Sequence, residues 1–247
     1  MLVLAGLGAG LTGSVAGLAS LVSYPALLAT GLPPVTANVT NTVALVLNSV
    51  GAVGASRPEL RGQGRRIALL LPLGMAGGVA GAALLLTTPP SAFEAVVPFF
   101  IAAASVLILL QRPPRELASD GTAEARRHPR RALWAMGAGV AAVSVYGGFF
   151  GAASGVLLLA VLLLTTGETV ARGNALKNTV SGASNLLAAI GFALFADVAW
   201  AAVLPLAAGL FVGGVLGPPL VRRLPGLWLR RGIGVAGLVL AAVLASA

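Results

Sequence analysis

The sequence carries one polar stretch, RGNALKNTVSGASN (172–185), between two long apolar runs. This stretch contains Arg172, Lys177 and three asparagines, all of which can donate hydrogen bonds. A cation near the start of a helix adds to the positive end of the helix dipole, and exposed backbone N–H groups there also attract anions. The residue types at this place therefore indicate a binding site for a small anion.

The spacing of the polar residues places several of them on one helix face. Asn178, Ser181 and Asn185 recur at helical spacing and form one polar stripe. The first half of the chain has a corresponding stripe, and a glycine-rich segment in each half contributes one serine. Two facing stripes would enclose a small anion with amide and hydroxyl donors. The candidate substrate-binding residues are Asn41, Thr42, Asn48, Lys177, Asn178, Thr179, Ser181, Asn185, Ser20 and Ser154.

The same residues are also compatible with purely structural or topological roles. Asparagine, serine and threonine in membrane helices often bond across helices and hold them together, at about 0.6 kcal/mol each. Lys177, the only lysine among 16 basic residues, could instead be a charge that marks the cytoplasmic end of a membrane segment. For Arg172 we favour this topological role.

The composition indicates an integral membrane protein. Of the 247 residues 57% are hydrophobic and only 9% are charged, and the mean hydropathy is +0.96. Apolar runs of about twenty residues, the length that spans a bilayer, recur along the chain. The predicted fold class is an all-α polytopic membrane protein with about 8–10 transmembrane or re-entrant helices.

The same composition argues against several kinds of chemistry. The chain has no cysteine, and its single histidine, His128, lies in a charged segment. Metal sites and Ser–His catalysis lack the side chains they need, so we predict no enzyme activity, no metal and no cofactor. The net charge of +9 comes from short segments between apolar runs, which is typical of membrane topology signals and not of nucleic-acid binding.

The positions of the basic residues predict the orientation in the membrane. Three segments hold nearly all of the arginines, at 57–66, 111–131 and 222–231, whereas 87–94 and 195–200 contain no lysine or arginine. Basic segments stay in the cytoplasm, so the first three are predicted to be cytoplasmic and the last two external. We expect a multi-pass protein of the cell inner (plasma) membrane, in contact with the lipid bilayer.

The two halves of the chain resemble each other. NTVALVLN (41–48) in the first half matches NTVSGASN (178–185) in the second. Further along each half, a proline and a glycine stand at the same distance from each other, as Pro72 and Gly81 and as Pro205 and Gly214. The orientation rule makes the first segment run inward and the second outward. We therefore predict two inverted-topology repeats, at 1–111 and 132–247, joined by a cytoplasmic basic loop at 112–131. Secondary transporters bind substrate at the interface of such repeats.

Each half begins with a segment that is too long for one crossing and barely long enough for two. These segments cover 2–30 and 132–166, and small residues interrupt them in GSVAGLASLVSYP (13–25) and YGGFFGAASG (146–155). A spanning helix needs about twenty residues. We predict a hairpin of two short or broken helices in each half, in a form that can re-enter the membrane.

The motifs of both halves resemble one known family. The second half reads YGGFFGAASGVLLLAVLL (146–163), ARGNALKNTVSGASNLLAAIGF (171–192) and GGVLGPPLVRRL (213–224). These strings are similar to the second half of the TauE/SafE family, the sulfite-exporter-like transporters, also called the toluene sulfonate uptake permease family. GLASLVSYPALLATGLPPVTANVTNT (17–42) resembles the glycine-rich hairpin and polar helix start of its first half. The resemblance implies passage of sulfite or other small sulfur-containing organic anions.

The resulting hypothesis is a secondary transporter, a permease or exporter, that moves a small anionic substrate by alternating access. No acidic residue is predicted within the middle of a membrane segment, so the sequence offers no obvious proton-coupling group. An inside-negative potential favours anion export by about 2.3 kcal/mol per 100 mV, so export needs no coupling ion. A channel-like anion pore and a non-transporting membrane scaffold are the alternatives, and the sequence allows a homo-oligomer.

Overall fold

The computed structural model describes residues 1–110 and 114–221. Residues 222–247 lie outside the described residues. They contain the predicted basic segment at 222–231 and the end of the predicted second repeat. Eleven helices and no strand are found in the described ranges, which confirms the all-α fold class. The helices are α1 (Leu2–Ala16), α2 (Ser20–Leu28), α3 (Pro34–Ala55), α4 (Arg57–Leu60), α5 (Gly64–Thr87), α6 (Pro90–Leu110), α7 (Pro114–Arg127), α8 (Pro129–Phe149), α9 (Ser154–Thr166), α10 (Val170–Phe195) and α11 (Trp200–Val221).

Several helices are long and apolar enough to cross a bilayer. Five such helices lie in the described ranges, namely α5, α6, α8, α10 and α11. The helix α3 is also long enough, but it contains three asparagines and is not among these five. The chain is therefore a multi-pass helical membrane protein, as its composition predicts.

The two predicted hairpins are broken within the predicted segments. The helix α1 ends at Ala16, Gly17 takes a left-handed conformation (φ 78°), and α2 begins at Ser20. In the second hairpin Ala153 has a positive φ of 56° just before α9. A residue with positive φ thus interrupts the helix at both places. At Ala153 this conformation is unusual, because positive φ is rare for residues with a Cβ.

The tips of the two hairpins touch each other. Gly17, in the first tip, lies so close to Gly155, in the second, that a Cβ on Gly17 would come within 2.3 Å of the carbonyl carbon of Gly155. Only glycine at both positions allows the two backbones to approach so closely. Residues more than a hundred positions apart in sequence thus meet at one point.

The long helices pack in a continuous order of neighbours. The helix α1 packs on α11, α11 on α3, α3 on α10, α10 on α5, and α5 on α8. Small residues bring the outer pairs together: a Cβ on Gly10 would lie 2.5 Å from the carbonyl oxygen of Leu210, and one on Gly81 would lie 2.1 Å from that of Val145. Close approach through glycine is a usual way to pack helices in lipid, where the hydrophobic effect does not drive them together.

Aromatic residues pack around the tip of the second hairpin. Phe93 and Phe100 of α6 contact Phe149 and Phe150, with ring centroids 5.7 to 6.0 Å apart. Tyr24 of α2 adds an edge-to-face contact with Phe150 at 5.4 Å. Aromatic pairs in this range stabilise by about 0.5–1.5 kcal/mol beyond burial of area. The helix α6 therefore supports the second tip from the side.

The segment predicted as a loop between the halves contains the helix α7. Leu117, on the buried face of α7, packs against Leu159 and Leu163 of α9. Gly121 lies one turn further along and is in close contact with the backbone of Leu163. A helix with one apolar face and one charged face suits the boundary between membrane and water, and α7 covers the return helix of the second hairpin.

Candidate functional site

A polar cavity of about 50 Å³ lies where the two hairpin tips meet. Its walls come from both tips and from the middle of α3 and α10, so both halves of the chain contribute. Polar side chains predominate in the lining, and Lys177 is its one charged residue in the part of the chain that the structure describes. The lining residues are Gly13, Gly17, Ala19, Ser20, Leu45, Asn48, Ser49, Gly151, Ser154, Gly155, Lys177, Asn178, Ser181 and Asn185.

Seven of the ten candidate residues line this cavity. The stripe of Asn178, Ser181 and Asn185 faces it along one side of α10, as helical spacing requires. The candidates that line the cavity are Ser20, Asn48, Ser154, Lys177, Asn178, Ser181 and Asn185.

The three remaining candidates, Asn41, Thr42 and Thr179, do not line the cavity. The hydroxyls of Thr42 and Thr179 donate to backbone carbonyls four residues back in their own helices. Asn41 has a closer link to the site, because its Nδ2 donates to Ser20 Oγ at 3.2 Å. Ser23 Oγ in turn donates to Asn41 Oδ1 at 2.5 Å. Asn41 thus holds the start of α2 in position.

Lys177 is buried two turns inside α10, with 2% of its surface exposed. Its Nζ donates a hydrogen bond of 2.8 Å to the carbonyl oxygen of Gly13. Gly13 belongs to the last turn of α1, where the helix dipole is negative, and its carbonyl oxygen also accepts a hydrogen bond of 2.8 Å from the backbone N–H of Gly17. No carboxylate forms an ion pair with Lys177 among the described residues.

Asparagines of each half donate hydrogen bonds to the interrupted helix of the other half. Asn174 Nδ2, in the second half, donates to the carbonyl oxygen of Ser14 at 2.6 Å, and Asn178 Nδ2 reaches the same oxygen at 3.5 Å. Asn38 Nδ2, in the first half, donates to the carbonyl oxygen of Phe149 at 2.9 Å. Each half therefore satisfies the open carboxyl end of the other half's first hairpin helix.

Asn38 and Asn174 were not among the predicted site residues. The signal was present, because Asn38 follows Thr30 and Asn174 follows Thr166 at the same offset, just before the matched motifs of the two halves. Their partners could not be found from sequence, since the accepting carbonyls are 111 and 160 residues away.

Asn48 joins the cavity to the packing of two further helices. With its nitrogen oriented as donor, its side chain bonds to the carbonyl oxygens of Gly10 and Leu210, each at 3.2 Å. These bonds tie α3 to α1 and α11. Asn48 therefore combines a place in the cavity wall with the cross-helix bonding that polar residues often provide in membranes.

Two helix N-termini border the cavity. The helix α2 begins at Ser20 and α9 begins at Ser154, and both serines are in the lining. Neither helix has a side-chain cap on its first turn. The positive ends of two helix dipoles and the ammonium of Lys177 therefore surround the same space, which is an electrostatic environment suited to an anion.

A second cluster of charges lies outside the cavity, at the start of α10. Glu168 forms ion pairs with Arg66 and with Arg172, the latter at 2.7 Å. Burial raises the pKa of the Glu168 carboxyl, but the hydrogen bonds and charges of the two arginines outweigh it, so the pKa is lowered from 4.5. Arg172 also donates to the carbonyl oxygen of Arg61 at 3.1 Å. Arg172 is thus part of a charged cluster at the end of the helix, and it does not line the cavity.

The fold and the cavity together define a polytopic membrane protein with a polar site inside its helix bundle, which is the form of a membrane transporter. The family described as Sulfite exporter TauE/SafE matches residues 2–244. The chain therefore belongs to the TauE/SafE family of membrane transporters. No curated protein and no solved structure matches the chain.

Proposed function

We propose that this protein is a secondary transporter that exports sulfite or another small sulfur-containing anion across the plasma membrane, with the cavity between the hairpin tips as its substrate site. The observation that carries the proposal is the position of Lys177, buried in the cavity wall without an acidic partner among the described residues. A buried charge is costly unless it is paired. A bound anion would supply that pairing.

The chemistry of the cavity fits an oxyanion. The amides of Asn178 and Asn185 and the hydroxyls of Ser20, Ser154 and Ser181 offer neutral hydrogen-bond donors around the ammonium. Hydrogen bonds to a charged group are stronger than those between neutral groups. Because the described lining residues include no carboxylate, an anion would meet little repulsion from them.

We also propose that 1–111 and 132–247 are inverted repeats joined by 112–131. The order of helix neighbours supports the proposal, because it reads the same when α1 is exchanged for α8, α11 for α5, and α3 for α10. The reciprocal bonds of Asn38 and Asn174 obey the same exchange. Two hairpins that enter from opposite sides and meet at the substrate site would then supply the two gates of an alternating-access cycle.

The membrane potential is the proposed driving force. Export of one negative charge is favoured by about 2.3 kcal/mol for each 100 mV of inside-negative potential. Within residues 1–110 and 114–221, no carboxylate that could carry a coupled proton lines the cavity. Export without a coupling ion is therefore energetically sufficient for this site.

The test is sulfite efflux from proteoliposomes under an imposed inside-negative potential. The wild-type protein is compared with Lys177→Gln and with Arg61→Gln, which removes an exposed positive charge outside the cavity. We expect saturable wild-type efflux, at least a tenfold loss in Lys177→Gln, and little change in Arg61→Gln. An equal loss of efflux in both variants would mean that removal of any positive charge lowers efflux, which would contradict a specific role of Lys177 in the site.

The same measurement distinguishes the alternatives. A flux that does not saturate would favour a channel-like anion pore. Absence of flux for sulfite, for organic sulfonates and for chloride would favour a membrane scaffold. A flux that requires a proton gradient at fixed potential would contradict export driven by the potential alone.

A further inference from the structure

A second, smaller cavity opens beside the first on the side of the second half. Its volume is about 20 Å³, and it lies among α8, α9 and α10. A water molecule needs roughly 10–15 Å³ of such space, so this second cavity can hold one group of about that size. We call it the chamber. The residues that line it are Val143, Ser144, Gly147, Ser154, Leu158, Ser181, Ser184 and Asn185.

The chamber continues the proposed substrate site. Ser154, Ser181 and Asn185 line both cavities, so the two cavities meet at these three side chains. An anion held beside Lys177 would therefore have its far side directed at three side chains that also face the chamber. A substituent on that side could reach the chamber without displacing the anionic group.

The chamber is rich in hydroxyls, and one of them has no partner. Four serines line it, and the hydroxyl of Ser184 is buried without a hydrogen-bond partner in the part of the chain that the structure describes. Ser184 is only 3% exposed. Buried polar groups are nearly always hydrogen-bonded, so the Ser184 hydroxyl is available to pair with a group that enters the chamber. Among the described residues, no charged side chain lines the chamber, so its chemistry suits a neutral group.

The first half has no equivalent of the hydroxyls of Ser181 and Ser184. When Asn48 is matched with Asn185, the positions that correspond to Ser181 and Ser184 are Ala44 and Leu47. Leu47 is 42% exposed on the outside of the bundle. Because helix packing is achieved without these hydroxyls in the first half, their presence in the second half indicates a role beyond packing.

We propose that the chamber lined by Ser144 and Ser184 is a specificity subsite, which binds a hydroxyl or a similar small neutral substituent of the transported anion. The inference rests on the proposed function and extends it, because it names the part of the substrate that the second half recognises. A substrate with such a substituent would complete the hydrogen bonding of Ser184. An analogue that lacks the substituent would leave that hydroxyl buried and unpaired.

The experiment compares two anions that differ by one hydroxyl, ethanesulfonate and 2-hydroxyethanesulfonate, in proteoliposome efflux under an inside-negative potential. The wild-type protein is measured beside Ser184→Ala and Ser144→Ala. Ser105→Ala is the matched control, because Ser105 is fully buried in α6 and bonds to its own helix. We expect the wild type and the control to favour the hydroxylated anion about five- to tenfold, and Ser184→Ala to reduce that preference to within twofold.

The outcomes separate this inference from the proposed function. Saturable flux of both anions with the same preference in the wild type and in both chamber variants would overturn the subsite and leave the anion transporter intact. Absence of flux for both anions and for sulfite would overturn the proposed function together with the subsite. If a variant is recovered in low amount, ligand-induced thermal stabilisation by each anion in detergent gives the same comparison without transport.

Discussion

The tips of the two hairpins have the same architecture and different chemistry. The carboxyl end of α1 receives the ammonium of Lys177 and two asparagine amides. The corresponding end of α8 receives one amide, from Asn38, and is surrounded by phenylalanines. One tip is thus held by charge and the other by aromatic packing. The comparison shows that two tips with similar backbones can differ in charge, because Lys177 contacts only the first of them among the described residues.

The difference has a functional consequence for the proposed transporter. A symmetric pair of lysines would place two ammonium groups beside one small cavity, and their repulsion would oppose burial. A single lysine balances a single small anion. The aromatic side then serves as a rigid support, because rings packed edge to face leave little freedom for rearrangement.

Separating the two tips should have the greatest effect. In Gly155→Ala the new Cβ would lie 2.6 Å from the Cα of Gly17, and neither backbone can move easily. We expect a loss of about 2 to 3 kcal/mol in stability and loss of transport. The measurement is thermal unfolding in detergent together with efflux.

Gly54→Ala is the control for this substitution, because no atom of the described residues lies within 4 Å of a Cβ at position 54. Alanine also favours a helix over glycine by about 1 kcal/mol. Unchanged or slightly raised stability is expected there. A Gly155→Ala protein as stable as Gly54→Ala would show that the tips need not touch.

The two asparagine bonds test whether the two tips are equivalent. Asn38→Ala and Asn174→Ala each remove one bond to an open carbonyl, so each is expected to cost about 1 kcal/mol of stability. Thermal unfolding of both single variants and of the double variant measures the costs. Because the two sites share no partner, the effects should add. A large deviation from additivity would mean that the tips fold as one coupled unit.

Two tyrosines give a finer contrast between the hairpins. Tyr146 Oη donates to the carbonyl oxygen of Ala152 at 2.8 Å, inside the second tip, whereas the bond from Tyr24 Oη to the carbonyl oxygen of Pro34 is long at 3.5 Å. Tyr146→Phe should therefore destabilise by about 0.5–1 kcal/mol, and Tyr24→Phe by only a few tenths. Thermal unfolding of the two variants measures both effects. Equal costs would contradict the view that the hydroxyl supports only the second tip.

A still smaller effect is expected at the link that follows each hairpin. The link after the first hairpin has no charge, but the link after the second contains Glu168, paired with Arg66 and Arg172. Glu168→Gln should cost about 0.5 kcal/mol at pH 7, since partly exposed ion pairs contribute little.

The pH dependence of this variant follows from the lowered pKa of Glu168. The stabilisation is complete above the ordinary carboxyl value of 4.5 and is lost as the pH falls through the lower pKa of the folded protein. The stability difference between wild type and Glu168→Gln should therefore shrink below about pH 4.5. Unfolding measured across this range gives the test, and a difference independent of pH would exclude the ion pairs as its cause.

Much of the fold could be predicted from local patterns. Apolar runs predicted the membrane helices, and the small residues at 13–25 and 146–155 predicted the hairpin breaks that the structure places at Gly17 and before Ser154. The helix at 114–127 was missed because its sequence is polar and has no apolar run long enough for a membrane segment. Its single apolar face is explained only by the packing of Leu117 on α9, which the tertiary structure shows.

The candidate site was predicted less completely. Helical spacing correctly grouped Asn178, Ser181 and Asn185 on one face, because that grouping depends only on the helix period. The same reasoning could not separate Thr42 and Thr179 from the cavity residues, since hydroxyls in helices can bond to their own backbone instead. Ser144 and Ser184 were missed because their helices had to be packed together before a second chamber existed.

Local features of the chain were enough to establish a helical membrane protein, the places where its helices are broken, and the polar faces of α3 and α10. These properties follow from composition and from periods of a few residues, so they do not depend on distant parts of the chain. The bond from Lys177 to Gly13 and the meeting of Gly17 with Gly155 became known only from the tertiary structure. Such contacts join residues more than a hundred positions apart, so no pattern of a few residues contains them, and they form only when the broken helices of the two halves pack against each other.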